Sequence, residues 1–140
     1  MYNKILVPTD GSPHADRALI HARKLAKRMG TDTLLTILHV KTLIPIIEPL
    51  SGVEVFRLQE DEAQQIIQPA ANALREDGIR HDWLSIPGDP AQTICSVARE
   101  SGYELIVMGS RGLGRFSEVI LGSVSHKVIQ HAPCPVLIVK

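Results

Sequence analysis

The residues best suited to chemistry lie in one glycine-rich segment, GSRGLGRFSEVILGS, which runs from Gly109 to Ser123. It is not a P-loop, because it lacks the pattern Gly-x4-Gly-Lys-Ser/Thr. It is not a dinucleotide fingerprint either, because Ser117 occupies the position of the required third glycine. Its spacing is Gly109-x2-Gly112-x9-Gly122-Ser123. Glycines let backbone N–H groups approach a ligand without interference from a Cβ atom.

A helix that begins at Ser123 would add anion-binding groups to this segment. The free amides of Ser123, Val124 and Ser125 would point outward at the positive end of the helix dipole. The hydroxyls of Ser123 and Ser125 would add donors, and Arg111 and Arg115 would add positive charge, although Arg115 fits a solvated surface arginine equally well. These groups predict a site for an anionic polyphosphate. The alternative is a mobile strand-to-helix loop with a serine helix cap.

A carboxylate, Asp10, follows the first apolar run in the stretch TDGS. A carboxylate beside phosphates is repulsive unless Mg²⁺ or a ribose hydroxyl takes it up. Asp10 is therefore a candidate metal or ribose ligand, and the alternative is a turn with a helix cap. The six histidines form no metal-binding cluster, and no serine has a convincing His/Asp relay, so neither a protein-only metal site nor hydrolase chemistry is predicted.

Composition bounds the class of protein. The 140 residues, 44% of them hydrophobic, predict a single domain over 1–140 with its own core. With a formal net charge of zero, the protein has no overall positive potential that would attract nucleic acid. We expect no membrane span and no signal peptide, and hence a cytoplasmic protein. The two cysteines, Cys95 and Cys134, are expected to be small buried residues in a reducing compartment.

Strands and helices are predicted to alternate along the whole chain. Pro69 lies inside the second predicted helix and predicts a kink or a late start. The expected strands are Lys4–Pro8, Thr33–Val40, His81–Ile86, Leu105–Met108 and Pro135–Val139. Four helices are expected between them. The first is capped by Ser12 and ended by Gly30, the second runs from about Glu54 to Glu76, the third is capped by Asp89 and ended by Gly102, and the fourth runs from about Ser123 to Gln130.

Short apolar strands that alternate with helices predict an open, Rossmann-like α/β fold with a parallel sheet covered on both faces. Such sheets bind ligands outside the carboxyl ends of their strands. If the first and fourth strands are neighbours, TDGS and the glycine-rich segment face each other across one crevice.

The sequence resembles the universal stress protein family over essentially its whole length. The resemblance rests on the glycine spacing after the fourth strand, and on ILVPTDGS, LHV, GDPAQTI and PVLIV. It implies five parallel strands in the order 3-2-1-4-5, and it implies the ATP-binding class of the family, with Mg²⁺ bound alongside the nucleotide.

The family pattern also implies residue roles. Asp10 would lie near the ribose and the metal, Val40 would offer backbone hydrogen bonds to adenine, and His39 would lie beside the adenine pocket. Gly109 and Gly112 would lie against ribose and phosphate. The full candidate set comprises Pro8, Thr9, Asp10, Val40, Met108, Gly109, Arg111, Gly112, Gly122, Ser123, Val124 and Ser125, with Asp10 as the metal ligand.

Two further segments predict contacts beyond the nucleotide. The last strand, Pro135–Val139, is too apolar to remain an unpaired sheet edge, so we expect a homodimer through it, as is common in the family. The apolar stretch Thr42–Gly52 predicts either packing against the second helix or a flap or partner surface.

Three functions remain open from the sequence. The first is an ATP-binding stress-response or signalling module with little or no hydrolysis. The second is a slow or partner-activated ATPase or phosphotransferase. The third is a dimeric interaction module without a nucleotide-dependent role.

Overall fold

Five strands and four helices alternate along the part of the chain that the computed structural model describes, which is residues 2–42, 51–111 and 121–140. In chain order they are β1 (Lys4–Pro8), α1 (Pro13–Met29), β2 (Leu34–Lys41), α2 (Gly52–Glu76), β3 (His81–Pro87), α3 (Pro90–Glu100), β4 (Leu105–Gly109), α4 (Ser123–His131) and β5 (Val136–Val139).

The strands form one parallel sheet in the order β3-β2-β1-β4-β5, which confirms the expected fold class. β1 and β4 are neighbours, with Ile5 opposite Leu105 and Leu6 opposite Ile106. The segments that follow these two strands therefore leave the same edge of the sheet side by side.

The core lies on both faces of the sheet because successive strand residues point to opposite faces. Ile5, Val7 and Ile37 pack with α1 and α2 on one face. Leu6 and Leu38 pack with α3 and α4 on the other. Strands buried on both sides read as continuous apolar runs, which is why the sequence identified them.

Several element boundaries differ from the sequence-based expectation. β2 and β3 each end one residue later than predicted, and β5 begins at Val136. A late start of α2 is wrong, since the helix begins at Gly52 and passes through the exposed Pro69. The reason is a capping box, in which Ser51 Oγ accepts from the Glu54 amide at 3.2 Å and the Glu54 carboxylate accepts from the Ser51 amide at 2.7 Å.

One ion-pair cluster joins the two helices on the same face of the sheet. Arg23 Nε and Lys27 Nζ of α1 donate to the two carboxylate oxygens of Asp77, at 2.6 Å and 2.8 Å. Asp77 is the C-cap residue of α2. These hydrogen bonds hold the pKa of Asp77 at about 2, well below its ordinary value of 3.8.

The sheet ends at β3 on one side and at β5 on the other. Trp83, the only tryptophan in the sequence, lies on β3 with 42% of its surface exposed. Of the helices within the three described ranges, none is both long and apolar enough to span a bilayer.

Candidate functional site

A cavity of about 270 Å³ opens at the carboxyl ends of β1, β2 and β4. This is the edge at which open parallel sheets bind ligands. The expected meeting of TDGS with the glycine-rich segment is confirmed, since both contribute to the wall. The lining residues are Pro8, Thr9, Asp10, Ala15, Leu38, His39, Val40, Thr42, Glu62, Pro90, Ile94, Met108, Gly109, Arg111, Val124 and Ser125.

Most of the candidate residues chosen from the sequence lie in this wall. They are Pro8, Thr9, Asp10, Val40, Met108, Gly109, Arg111, Val124 and Ser125. Gly122 and Ser123 adjoin the wall through Val124 without lining it. Gly112 and Arg115, and residues 43–50 of the apolar stretch after β2, lie outside the described residues.

The N-terminus of α4 differs from those of the other helices. α1, α2 and α3 are capped by the side chains of Ser12, Ser51 and Asp89. The N-cap of α4 is Gly122 and not a serine, contrary to the alternative that the sequence left open, and among the described residues no side chain accepts from the first-turn amides. The amides of Ser123, Val124 and Ser125 are therefore available at the positive end of the helix.

Two hydrogen bonds join the ends of the glycine-rich segment. The Gly122 amide donates to the Ser110 carbonyl at 2.6 Å, so this amide is not free for a ligand. The Ser125 hydroxyl donates to the Gly109 carbonyl at 2.8 Å. Ser125 therefore offers a ligand its backbone amide, whereas the proton of its hydroxyl is already used, contrary to the expectation from the sequence.

Gly109 is required by the packing of α1 on the end of β4. A Cβ atom on Gly109 would lie 2.7 Å from the carbonyl carbon of His14 and 2.8 Å from its Cβ. The first turn of α1 thus packs directly on the end of β4, which only glycine allows.

Asp10 forms the turn that the sequence offered as one alternative, and it also lines the cavity. Its Oδ1 accepts from the Ser12 amide at 2.9 Å, which makes the turn that leads into α1. The Ser12 hydroxyl then caps the helix by accepting from the Ala15 amide. Since Asp10 also lines the cavity, its carboxylate is fixed at the wall by the turn.

A contact that the sequence did not predict joins Ser110 to His14. Ser110 Oγ lies 3.2 Å from His14 Nδ1. Burial lowers the pKa of His14, and the charges of Arg17 and Arg111 lower it further, against the opposing effect of Asp10. The pair presents no nucleophile to the cavity, because Ser110 is only 3% exposed and does not line it.

The contribution of α2 to the cavity was also not predicted from the sequence. Glu62 lines the wall, and the turn of α2 before it is attached to the end of β2. Lys41 pairs with Glu60, and Gln59 donates to the Thr42 carbonyl at 3.3 Å. These contacts join residues 17 and 19 positions apart, so no local motif signals them.

His39 occupies the position expected for it, at the end of β2 beside the cavity. It is buried, and its Nδ1 lies 3.3 Å from the Thr9 carbonyl. This contact connects the ends of β1 and β2, both of which contribute residues to the cavity wall.

Comparison with known proteins agrees with the fold. The sequence profile of the Universal stress protein family matches residues 1–140. Universal stress protein YxiE of Bacillus subtilis (strain 168) is 38% identical over 150 residues, and the match covers all of both chains. The solved structure of MJ0577 from Methanocaldococcus jannaschii superposes with a TM-score of 0.83 at 32% identity, covering 100% of this chain and 96% of that one.

A universal stress protein solved in complex with cAMP superposes with a TM-score of 0.74 at 25% identity, covering 99% of this chain and 97% of that one. The family profile extends over the full length of the sequence, and YxiE aligns with it from end to end. The chain belongs to the universal stress protein family.

Proposed function

We propose that this chain is an ATP-binding universal stress protein, a nucleotide-dependent stress-response or signalling module with little or no hydrolysis of its own. The observation that carries the proposal is the N-terminus of α4. Its first-turn amides have no side-chain acceptor in the described structure, and Val124 and Ser125 face the cavity. A polyphosphate supplies the missing acceptors and meets the helix dipole.

The base is proposed to lie over the ends of β1 and β2. Leu38, Val40, Ile94 and Met108 give this part of the cavity apolar walls that suit a planar ring. The backbone of Val40 would then hydrogen-bond adenine, as the family pattern implies. Binding of cAMP by a relative of similar fold supports an adenine nucleotide as the ligand class.

Asp10 is the residue proposed to hold Mg²⁺ beside the phosphates. Its Oδ1 is engaged with the Ser12 amide, and Asp10 lines the cavity wall together with Arg111. No group of three potential metal ligands exists among residues 2–42, 51–111 and 121–140. The donor set therefore fits Mg²⁺ held by one carboxylate together with phosphates and water, which is the usual way proteins bind this ion.

Weak or absent hydrolysis is proposed because two groups that could activate water, Asp10 and His39, are engaged with the backbone. Asp10 accepts from the Ser12 amide, and His39 contacts the Thr9 carbonyl. Positioning without an oriented water and a transition-state cation gives slow phosphoryl transfer. Steady release of inorganic phosphate well above background would instead support the ATPase or phosphotransferase.

Two copies are proposed to associate through β5, which forms one end of the sheet. A two-fold contact between these apolar strands would remove that edge from water. We place the protein in the cytoplasm, where the free thiols of Cys95 and Cys134 stay reduced.

The α4 assignment is tested by calorimetric titration with Mg-ATP of the wild type and of Gly122→Asp. The new carboxylate would cap α4 by accepting from its free amides, and it would repel phosphate. We expect a loss of affinity of about 100-fold or more, because two or more hydrogen bonds to charged groups, each worth about 1.5–3 kcal/mol, are removed.

The same substitution should leave the fold intact or make it more stable by a few tenths of a kcal/mol, since aspartate is a better N-cap than glycine. Gly122→Ala is the matched control, because it adds a side chain with no acceptor. Retention of affinity in Gly122→Asp would refute the α4 assignment. Absence of saturable binding in the wild type would favour the interaction module without a nucleotide.

A further inference from the structure

His14 lies at the centre of the contacts that hold the phosphate end of the cavity in shape. It belongs to the first turn of α1 and packs on Gly109 so closely that no Cβ fits between them. Its Nδ1 lies 3.2 Å from Ser110 Oγ. The cavity wall itself continues on both sides of Ser110, at Gly109 and Arg111.

Ser110 is the residue through which His14 acts on the rest of the site. Its amide donates to the Val139 carbonyl at 2.9 Å, which continues the pairing of β4 with β5. Its carbonyl accepts from the Gly122 amide at 2.6 Å, which fixes the N-cap of α4. A side chain that holds Ser110 therefore helps to hold the helix end that is proposed to bind phosphate.

The charges around His14 oppose its protonation in the ligand-free protein. Arg17 lies one turn further along α1, and its Nε donates to the Lys140 carbonyl at 3.1 Å. Arg111 follows β4, and Asp10 precedes α1. Burial and the two arginines together lower the pKa of His14 below 6.5, and Asp10 offsets them only in part.

We propose that His14 is a positioning residue of the phosphate site, and that binding of an anionic nucleotide adds a proton to it. This inference rests on the proposed nucleotide-binding function. A polyphosphate beside Arg111 neutralises the charge that disfavours imidazolium, and Mg-ATP keeps a net negative charge when its Mg²⁺ lies at Asp10, so the pKa of His14 rises on binding. The imidazolium Nδ1–H then donates a charge-assisted hydrogen bond to Ser110 Oγ, which is stronger than the neutral one.

Linkage determines the direction of the pH effect. Because the pKa of His14 is lower in the free protein than in the complex, affinity rises as pH falls through the value in the complex, and levels off below the value in the free protein. Above both values the imidazole is neutral in both states, and affinity no longer depends on it. One unit of difference in pKa corresponds to a tenfold gain in affinity.

The test is isothermal titration with Mg-ATP of the wild type and His14→Gln, in two buffers that differ in ionisation enthalpy. Glutamine can still hydrogen-bond Ser110 but does not titrate, so protonation of the nucleotide itself appears equally in both proteins and cancels. We expect proton uptake near pH 6.5 in the wild type that His14→Gln lacks. The gain in affinity between pH 8 and pH 6 should exceed that of the variant by about three- to tenfold.

The matched control is His21→Gln, on the exposed side of the same helix, which should take up protons like the wild type. If His14→Gln does not fold, NMR titration of the wild type decides, since one imidazole should show a higher pKa when Mg-ATP is bound. Binding with equal proton uptake in the wild type and His14→Gln, or an NMR titration in which no imidazole shifts, would overturn this inference alone. Absence of binding at both pH values would overturn the proposed function as well.

Discussion

At the scale of the residue, Gly109 shows how one position can satisfy two requirements. It borders the cavity, where a missing side chain exposes backbone to a ligand. It also lies against His14 of α1, at a distance that excludes a Cβ atom. The second requirement does not depend on a ligand, so Gly109 is a structural residue of the fold.

Gly109→Ala is therefore expected to lower the free energy of unfolding by about 1–3 kcal/mol, the usual effect of overpacking a rigid contact. Urea denaturation followed by circular dichroism measures it. Gly52→Ala is the matched control, because a Cβ there meets no atom within 4 Å and alanine favours the helix. Equal stability of the two variants would show that α1 can move away from β4 without cost.

The sequence identified the residues at strand ends and at the N-terminus of α4, and it missed those that reach the site from α1, α2 and α3. Asp10, Val40 and Gly109 follow apolar runs, and parallel topology brings such positions to one edge. Ser110 and His14 are 96 positions apart, and their contact depends on how α1 packs across β4. Packing angles leave no local pattern in a sequence, so neither this pair nor Glu62 could be found that way.

At the scale of the element, the four helices differ in how their N-termini are capped. Three are capped by side chains, and α4 begins at Gly122 without one. Ser12 and Asp89 were recognised in the sequence, whereas the Ser51 capping box was not, because the proline-rich stretch before it obscured the start of α2. Boundary errors of one or two residues reflect such local competition.

The link between α1 and α2 through Asp77 is expected to make stability depend on acid. Its pKa is depressed to about 2 by Arg23 and Lys27, so the contribution is present above the ordinary value near 3.8 and is lost as pH falls towards 2. Asp77→Asn should therefore destabilise the protein clearly at pH 6 and much less at pH 2.5.

Thermal unfolding at the two pH values measures this difference. Glu76→Gln, an exposed neighbour outside this cluster, is the control for loss of one negative charge. A constant difference in Tm between wild type and Asp77→Asn at both pH values would show that the carboxylate stabilises the protein by packing alone.

At the scale of the whole molecule, the sheet has two ends and they differ in character. The parallel sheet followed from the alternation of elements, and the strand order from the family resemblance, which covers the whole chain. The side chains of β5 are partly packed against the helices on both faces of the sheet. The backbone N–H and C=O groups on the side of β5 away from β4 are therefore the groups with which a second subunit would pair. The carbonyls of Pro135 and Val139 accept hydrogen bonds from β4 and the residue that follows it. Because backbone groups alternate in direction along a strand, the N–H and C=O groups of Val136 and Ile138 point away from β4.

Ile138→Pro should convert the proposed dimer to a monomer, because it removes an outward N–H while leaving the bonds to β4 in place. Sedimentation velocity across a range of protein concentrations measures the change, and circular dichroism checks that the monomer stays folded. A wild type that is monomeric throughout, or a dimer that tolerates the proline, would contradict association through β5.

The position of Trp83 gives the molecule a built-in optical label on one side only. Its indole is the sole one in the chain and lies half-open to solvent on β3, at the end of the sheet opposite β5. Acrylamide should quench its emission equally before and after subunits join through β5, whereas a partner that covers β3 would shield it. Fluorescence quenching therefore reports which side of the protein is occupied, even when the partner is unlabelled.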